Sequence, residues 1–339
     1  MKKLKVLALV HRHLVPPADT TGLDVINAEW KMEFDVQTTL EERGHEVKVV
    51  GVHDDLGAIR RAVDEFQPDL IFNLLEAFAD VTTFDQNVVS YLELLRRPYT
   101  GCNPRGLTLA RDKSLSKKLL AYHRIPVPEF TVVRRGHRPV LSKRLRYPLI
   151  VKSLVYESST GISQASVVDN QAQLERRVQF VHESLGTAAI VEQFIDGREL
   201  YVGVIGNERL QVFPVWEMFF TNMPENSRRI ATERVKWNTK YQERHGIQTD
   251  LAVLADGLGE RIQHLARRAY RALDLSGYAR IDVRLDDEGR PYVIEANPNP
   301  QLAYGEDFAE SAEKIGISYE QLLERIMALG LQWQPERTG

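Results

Sequence analysis

The sequence predicts an α/β fold that opens on a parallel sheet and becomes α+β further along the chain. Three observations carry this. Short apolar strands alternate with helices over the first hundred residues; proline-bounded extended segments interrupt helices in the middle; and two alternating strands joined by a turn lie near residue 285. At 339 residues, with 43% hydrophobic and 27% charged side chains, the chain is an ordinary globular one. It is long enough for two or three domains at roughly 150 residues each.

Lys5–Val10 reads as a buried strand, Ala28–Arg43 as a helix stopped by Gly44, and Glu46–Gly51 as the second strand. Asp54 or Asp55 can cap a helix through Phe66, and Pro68 leads into a third strand, Leu70–Asn73. Strands joined through helices in this way lie parallel, and such sheets bind ligands at their carboxyl ends, here near His11–Val15 and Asn73–Val81. Asn103 and Asp112 then read as successive helix caps, the second opening Lys113–His123. Pro126 and Pro128 lead to extended segments at Thr131–Val133 and Leu149–Ser153, and Asp169 or Asn170 caps a helix to Leu185. Strands follow at Ala189–Ile195 and Glu199–Ile205, then a polar stretch from Glu217 to Asp250 that reads as one long loop. A helix from about Leu251 to Asp274, a hairpin of Tyr278–Leu285 and Pro291–Asn297, and a last helix Tyr319–Ala328 complete the chain.

Composition excludes several classes of function. Lys and Arg number 44 against 47 Asp and Glu, a net charge of −3, which argues against nucleic acid or an anionic membrane as the main partner. No apolar run is long enough to span a bilayer, and the opening Leu4–Val10 run is short and broken by Lys5, unlike a leader peptide. The single cysteine, Cys102, has no disulfide partner within the chain and reads as a small buried residue; a cytoplasmic location is expected. His11 and His13 read as ordinary loop histidines.

The hairpin holds the chemistry. Side chains alternate along a strand, so Arg280 and Asp282 share a face, as do Glu295 and Asn297. If Asp286 lies opposite Pro291, Asp282 faces Glu295 and Arg280 faces Asn297. Two carboxylates and an amide oxygen suit a hard cation such as Mg²⁺, and Arg280 suits a carboxylate or phosphate. The same residues also fit a structural network in which Arg280 neutralises both acids. Ile281, Val283, Ile294 and Ala296 occupy the apolar face. The basic 217–250 stretch, with Arg228, Arg229, Arg234, Lys236, Lys240 and Arg244, fits a solvated loop or a lid over an anion.

These pieces together resemble the ATP-grasp superfamily, and within it the D-alanine–D-alanine ligases and related carboxylate–amine ligases. The resemblance runs through Pro98-Tyr99-Thr100-Gly101, Arg111-Asp112-Lys113 with Lys117, Leu149-Ile150-Val151-Lys152, Ser158-Ser159-Thr160-Gly161-Ile162, Val191-Glu192-Gln193-Phe194-Ile195 with Gly197-Arg198-Glu199, Lys240-Tyr241, and the Arg280–Asn297 hairpin. It implies a three-domain ATP-grasp fold with an N-terminal Rossmann-like sheet, divided at 1–100, 101–186 and 187–333, with a tail at 334–339. It implies ATP and two Mg²⁺ ions, with Mn²⁺ as a substitute. Lys113 and Lys152 would contact phosphates, with Ser158, Ser159 and Gly161 in a small-residue loop over them. Glu192, Phe194 and Ile195 would hold adenine, and Glu199 ribose. Lys240 would reach the γ-phosphate, which makes the long stretch a lid; Asp282, Glu295 and Asn297 would hold metal; Arg280 would orient the reacting groups.

The amino-acid pocket departs from the family pattern. Asn73–Asp80 lacks the family's histidine and glycine, Gln301 stands where a glycine is expected, and a serine–leucine pair is missing near Tyr304–Phe308. Glu29, Glu33, Glu76 and Gln301 are the candidate substrate residues. The implied function is amide or peptide bond formation between small carboxylate and amine substrates through an acyl phosphate. The alternatives are a cell-wall D-alanine–D-alanine ligase and a non-catalytic nucleotide-binding regulator. Members of the family are often homodimers, and no interface is legible here.

Overall fold

The computed structural model describes residues 2–156, 159–224 and 227–334. Its strands form three sheets. The first is parallel, ordered β2-β1-β3, with β1 Lys5–His11, β2 Glu46–Val52 and β3 Leu70–Asn73. Its connections are α1 Lys31–Glu42 and α2 Leu56–Phe66, the latter capped by the Asp55 carboxylate accepting from Gly57 N–H. α3 Asp85–Leu94 follows β3, then α4 Pro104–Arg111, capped by Asn103, and α5 Lys113–Tyr122, capped by Asp112.

The second sheet is antiparallel, β4-β7-β5-β6, from β4 Phe130–Val133, β5 Leu149–Ser153, β6 Val167–Val168 and β7 Ala189–Gln193. α6 Gln171–Ser184 covers it through Leu174, Val178 and Val181. The third sheet, β10-β9-β8-β11-β12, is also antiparallel: β8 Arg198–Ile205, β9 Gln211–Phe220, β10 Ile247–Leu251, β11 Tyr278–Leu285 and β12 Pro291–Pro298. α7 Glu233–Trp237, α8 Thr239–His245, α9 Leu258–Ala272, α10 Asp307–Glu313 and α11 Tyr319–Leu331 complete the chain.

Both faces of the first sheet are covered, as a parallel sheet requires. Leu7, Leu9 and Ile71 pack with α2 and α3 on one side. Val6, Val10, Leu70 and Phe72 pack on the other with Leu322, Leu323 and Ile326 of α11. Among the described residues no helix is long and apolar enough to cross a membrane.

Three sequence expectations are corrected. The 217–250 stretch is not one loop: β9 runs to Phe220, and α7, α8 and β10 lie within it. The helix expected from Leu251 starts at Leu258, because Leu251 ends β10 opposite Trp216. The hairpin turn is one residue longer than assumed, with Leu285 rather than Asp286 facing Pro291. A bulge between Asp282 and Val283 then restores the register, so Asp282 does face Glu295 and Arg280 does face Asn297. The extra residue is Ile294, which lines a cleft instead of joining the apolar face.

Candidate active site

A cleft of about 740 Å³, its open mouth included, lies between the second and third sheets. Lys113, Lys152, Glu192, Phe194, Ile195, Glu199, Asp282 and Glu295 all line it, although they come from six elements and the segment after β7. That size is ordinary for a small-molecule site.

The floor is a lattice of buried charge. Lys113 opens α5 and Lys117 follows one turn later, so both side chains leave the same helix face. Lys113 Nζ donates to the Tyr156 carbonyl at 2.7 Å and lies 3.7 Å from Glu295 Oε2. Lys117 Nζ donates to the Ile294 carbonyl at 2.7 Å, the bulge residue of β12, and pairs with Glu192 Oε1 at 3.2 Å. Lys152 of β5 takes the other oxygen of Glu192, at 3.1 Å. Glu192 is 1% exposed. Burial pushes Lys113 and Lys117 below the usual lysine range. Burial opposes the charge on Lys152 too, but Glu192 and Glu295 outweigh it and hold its pKa up. For Glu192 burial is likewise outweighed, by Lys117 and Lys152, and its carboxyl is held down.

The metal-type residues sit at the edge of this lattice. β11 alternates Arg280, Asp282 and Arg284 toward the cleft side. Arg280 grips Asp282 with two hydrogen bonds, 2.7 and 3.0 Å, while its guanidinium lies 4.5 Å from the Tyr201 ring centre. Burial would raise Glu295, but Lys113, Lys152 and Lys236 pull it down to about 2. Burial raises Asp282, with Glu295 across the strands adding to it against the pull of Arg280. Two acids so opposed call for a cation between them. Asn297 is half-buried and its Nδ2 has no hydrogen-bond partner among the described residues, so its amide can turn its oxygen to an ion. The donor set fits a hard divalent cation.

The far wall is pinned by Arg284, which the sequence reading did not single out. Its guanidinium donates to the carbonyls of Ile195, Gly197 and Arg229 and to Glu199 Oε2 at 3.0 Å. Gly197 has φ +130°, and a Cβ there would lie 2.1 Å from the Leu285 carbonyl oxygen, so only glycine allows this close approach. Glu199 also accepts from Ala231 N–H and the Tyr201 hydroxyl. Phe194 packs with Ile150, Val167 and Ile230 into an apolar patch suited to a flat ring.

Above the cleft, Ser159 Oγ donates to the Ala231 carbonyl at 2.7 Å, and Gly161 N–H to Glu233 Oε2 at 3.1 Å. A carboxylate thus takes the N–H that the resemblance reserves for a phosphate. Ser158 lies outside the described residues. Lys240 is exposed on α8 and does not line the cleft; Lys236 of α7 does, and its charge reaches both Asp282 and Glu295.

The substrate candidates separate from one another. Glu29 is exposed, whereas Glu33 of α1 is 2% exposed, and neither of its oxygens has a partner among the described residues. Burial, with Glu76 adding repulsion, pushes its carboxyl up to about 7. Glu76 is exposed on the loop after β3, and Gln301 is half-buried. Cys102 is fully buried and its thiol is pushed up to about 12, as suits an inert residue.

Residues 119–328, more than half of the chain, match the family model of the D-alanine–D-alanine ligase C-terminus. The chain belongs to the D-alanine–D-alanine ligase family. Family members are ATP-grasp ligases that form carbon–nitrogen bonds. A D-alanine–D-alanine ligase of Desulforudis audaxviator is 32% identical over 300 residues, covering 87% of this chain and 90% of that protein. An uncharacterized protein of Sinorhizobium fredii is 30% identical over 86% of this chain and 85% of its own. The Bacillus anthracis D-alanine–D-alanine ligase, crystallised with ATP, superposes with a TM-score of 0.74 at 21% identity, covering 97% of this chain and 98% of that one. That likeness speaks to the ligase fold, a mixed arrangement of one parallel and two antiparallel sheets.

Proposed function

We propose that this ligase joins the carboxylate of one small amino-acid-like substrate to the amine of another, at the expense of ATP. The observation that carries the reading is the charge lattice. Lys113, Lys152 and Lys236 line a cleft, with Lys117 buried behind Glu192, and its far edge presents the opposed pair Asp282 and Glu295.

ATP fits the cleft with its base against Phe194 and Ile195 and its phosphates toward Lys113, Lys152 and Lys236. Glu199 offers an acceptor for ribose hydroxyls once it shares its oxygens with Arg284. Asp282, Glu295 and Asn297 would hold two Mg²⁺ ions, or Mn²⁺ in their place, and that metal neutralises charge on the transferring phosphoryl group. A carboxylate oxygen of the donor attacks the γ-phosphorus and ADP departs, leaving an acyl phosphate. The amine nitrogen then attacks the acyl carbon, phosphate departs, and the nitrogen sheds a proton. Lysines fixed by Glu192 need no reorganisation as charge moves, which is the source of the electrostatic rate gain. Arg280 positions the donor beside Asp282. Segment 228–233, stitched to Ser159 and Gly161, shields the acyl phosphate from water. We assign the lobes 1–100, 101–186 and 187–333 to substrate holding, nucleotide covering and catalysis.

The relatives' names favour D-alanine as one substrate, whereas the departures at Asn73–Asp80 and Gln301 favour a different pair. Phosphate release with ATP and Mg²⁺ across pairs of amino acids and short peptides, D-alanine included, tests both, with mass detection of product. ADP formation with an amide product is expected. ADP formation with D-alanine alone would restore the cell-wall reading. No turnover with any pair would leave a nucleotide-binding regulator.

A further inference from the structure

His11, His53 and Asp80 come together at the carboxyl ends of the first sheet. His11 ends β1 and pairs in register with Val52, so His53 follows directly beside it on the neighbouring strand. Asp80 comes from the loop after β3, which is held down by Ala79 N–H donating to the His53 carbonyl at 2.7 Å. Asp80 Oδ2 lies 3.1 Å from His53 Nε2, and Oδ1 lies 3.6 Å from His11 Nε2. One ligand atom from each residue falls within 4.8 Å of the other two. Neither the ligase chemistry nor the cleft between the other two sheets uses these residues.

The bland alternative is a surface ion pair between His53 and Asp80, and two observations weigh against it. Ala79 and Asp80 are consecutive non-glycine residues in the left-handed region, at φ +51° and +59°. That conformation costs roughly 1–2 kcal/mol per residue, whereas an exposed ion pair returns about 0–1 kcal/mol. The backbone strain that aims Asp80 at the imidazoles is therefore not repaid by the pair alone. Secondly, His11 is 7% exposed, its Nε2 stops 3.6 Å short of Asp80 Oδ1, beyond hydrogen-bond reach, and its Nδ1 has no hydrogen-bond partner among the described residues. A buried ring nitrogen left unsatisfied is a group that a ligand completes.

We propose that His11, His53 and Asp80 form a binding site for a borderline divalent transition ion, with Zn²⁺ the best match to two imidazoles and one carboxylate. Mg²⁺ prefers an all-oxygen shell and is selected against here. Three protein ligands leave a coordination position open, as in zinc sites that take water or a substrate donor rather than closed structural ones. The site sits where a parallel sheet presents ligands, at the mouth of the lobe read above as holding substrate.

The test is calorimetric titration of the full chain, stripped by chelator, with Zn²⁺ in the presence of excess Mg²⁺ to saturate Asp282 and Glu295. One Zn²⁺ per chain is expected, and Co²⁺ in its place should give visible d–d absorption. His53→Ala and Asp80→Asn, both at exposed or half-exposed positions, should each weaken binding at least about tenfold without lowering the melting temperature of the metal-free protein. Glu295→Gln should leave it unchanged. The proposal is overturned if wild type takes up no stoichiometric Zn²⁺. It is equally overturned if His53→Ala and Asp80→Asn bind as wild type does, or if binding disappears only in Glu295→Gln.

Discussion

The cleft between the second and third sheets and the carboxyl edge of the first sheet treat buried charge in opposite ways. In the cleft every named acid already has a cation: Glu192 has Lys117 and Lys152, Glu295 has Lys113, and Asp282 has Arg280. At the first sheet Glu33 is buried with no partner among the described residues, and Asp80 is presented on a strained turn. The cleft is preorganised for a fixed and strongly charged ligand. Beside the first sheet the Glu33 carboxylate and His11 Nδ1 lack partners among the described residues, which is the state of groups that acquire their partners with a ligand.

Glu192→Gln breaks the cleft side of this contrast most severely. It leaves two buried lysines facing each other without a counter-charge, so a loss of about 3–5 kcal/mol in denaturant unfolding is expected. A loss below 1 kcal/mol would mean that the lattice is solvated and not preorganised. Glu295→Gln should cut ADP formation by at least about 100-fold while leaving the melting temperature within a few degrees, because only one of its partners is left uncompensated. Unchanged turnover would remove the metal assignment. Next, Lys236→Ala should slow ADP formation by about tenfold or more and Lys240→Ala far less. The reverse ranking would place the family's Lys-Tyr motif back over the phosphates.

Glu33→Gln probes the other side. With its carboxyl near 7 in the fold and 4.5 as the ordinary value, both states hold the proton below pH 4.5. Between 4.5 and 7 the unfolded chain loses it first, so wild-type stability falls through that window and the cost persists above it. Glu33→Gln should abolish this fall and be more stable at pH 8 by about 3 kcal/mol, read from urea midpoints across pH. If the two proteins show parallel profiles, Glu33 already has a partner in solution. The smallest effect belongs to Ala79→Gly, which relieves one left-handed residue and should stabilise by less than about 1 kcal/mol. Destabilisation there would show that the turn carries no strain.

Much of this was legible in the sequence, and the failures have identifiable causes. The first sheet is visible because Lys5–Val10 and Leu70–Asn73 are apolar runs punctuated by capping residues and prolines. β9 escaped because Pro214 and Glu217 disguise it. The proline lies where the β8–β9 register shifts between Val202 and Val204, a bulge in which its missing N–H does no harm. The Asp282–Glu295 facing was inferred from a turn one residue too short, and the bulge at Ile294 compensated. Lys236 and Lys240 are indistinguishable by composition; what separates them is Asn238, which ends α7 and caps α8. His11 ends β1, His53 follows β2 and Asp80 lies in the loop after β3, so no local pattern joins them, and Glu33, named as a substrate candidate, sits in a polar helix whose burial only the fold reveals.

The packing of α11 against the first sheet has a consequence for synthesis. Val6, Val10, Leu70 and Phe72 are covered by side chains that follow them by about 250 residues or more, Leu322, Leu323 and Ile326. A nascent chain leaving the ribosome amino end first holds that sheet face bare until α11 has emerged. That lobe is thus finished only when α11 is made, and a chain truncated before α11 would expose an apolar sheet face for other chains to find.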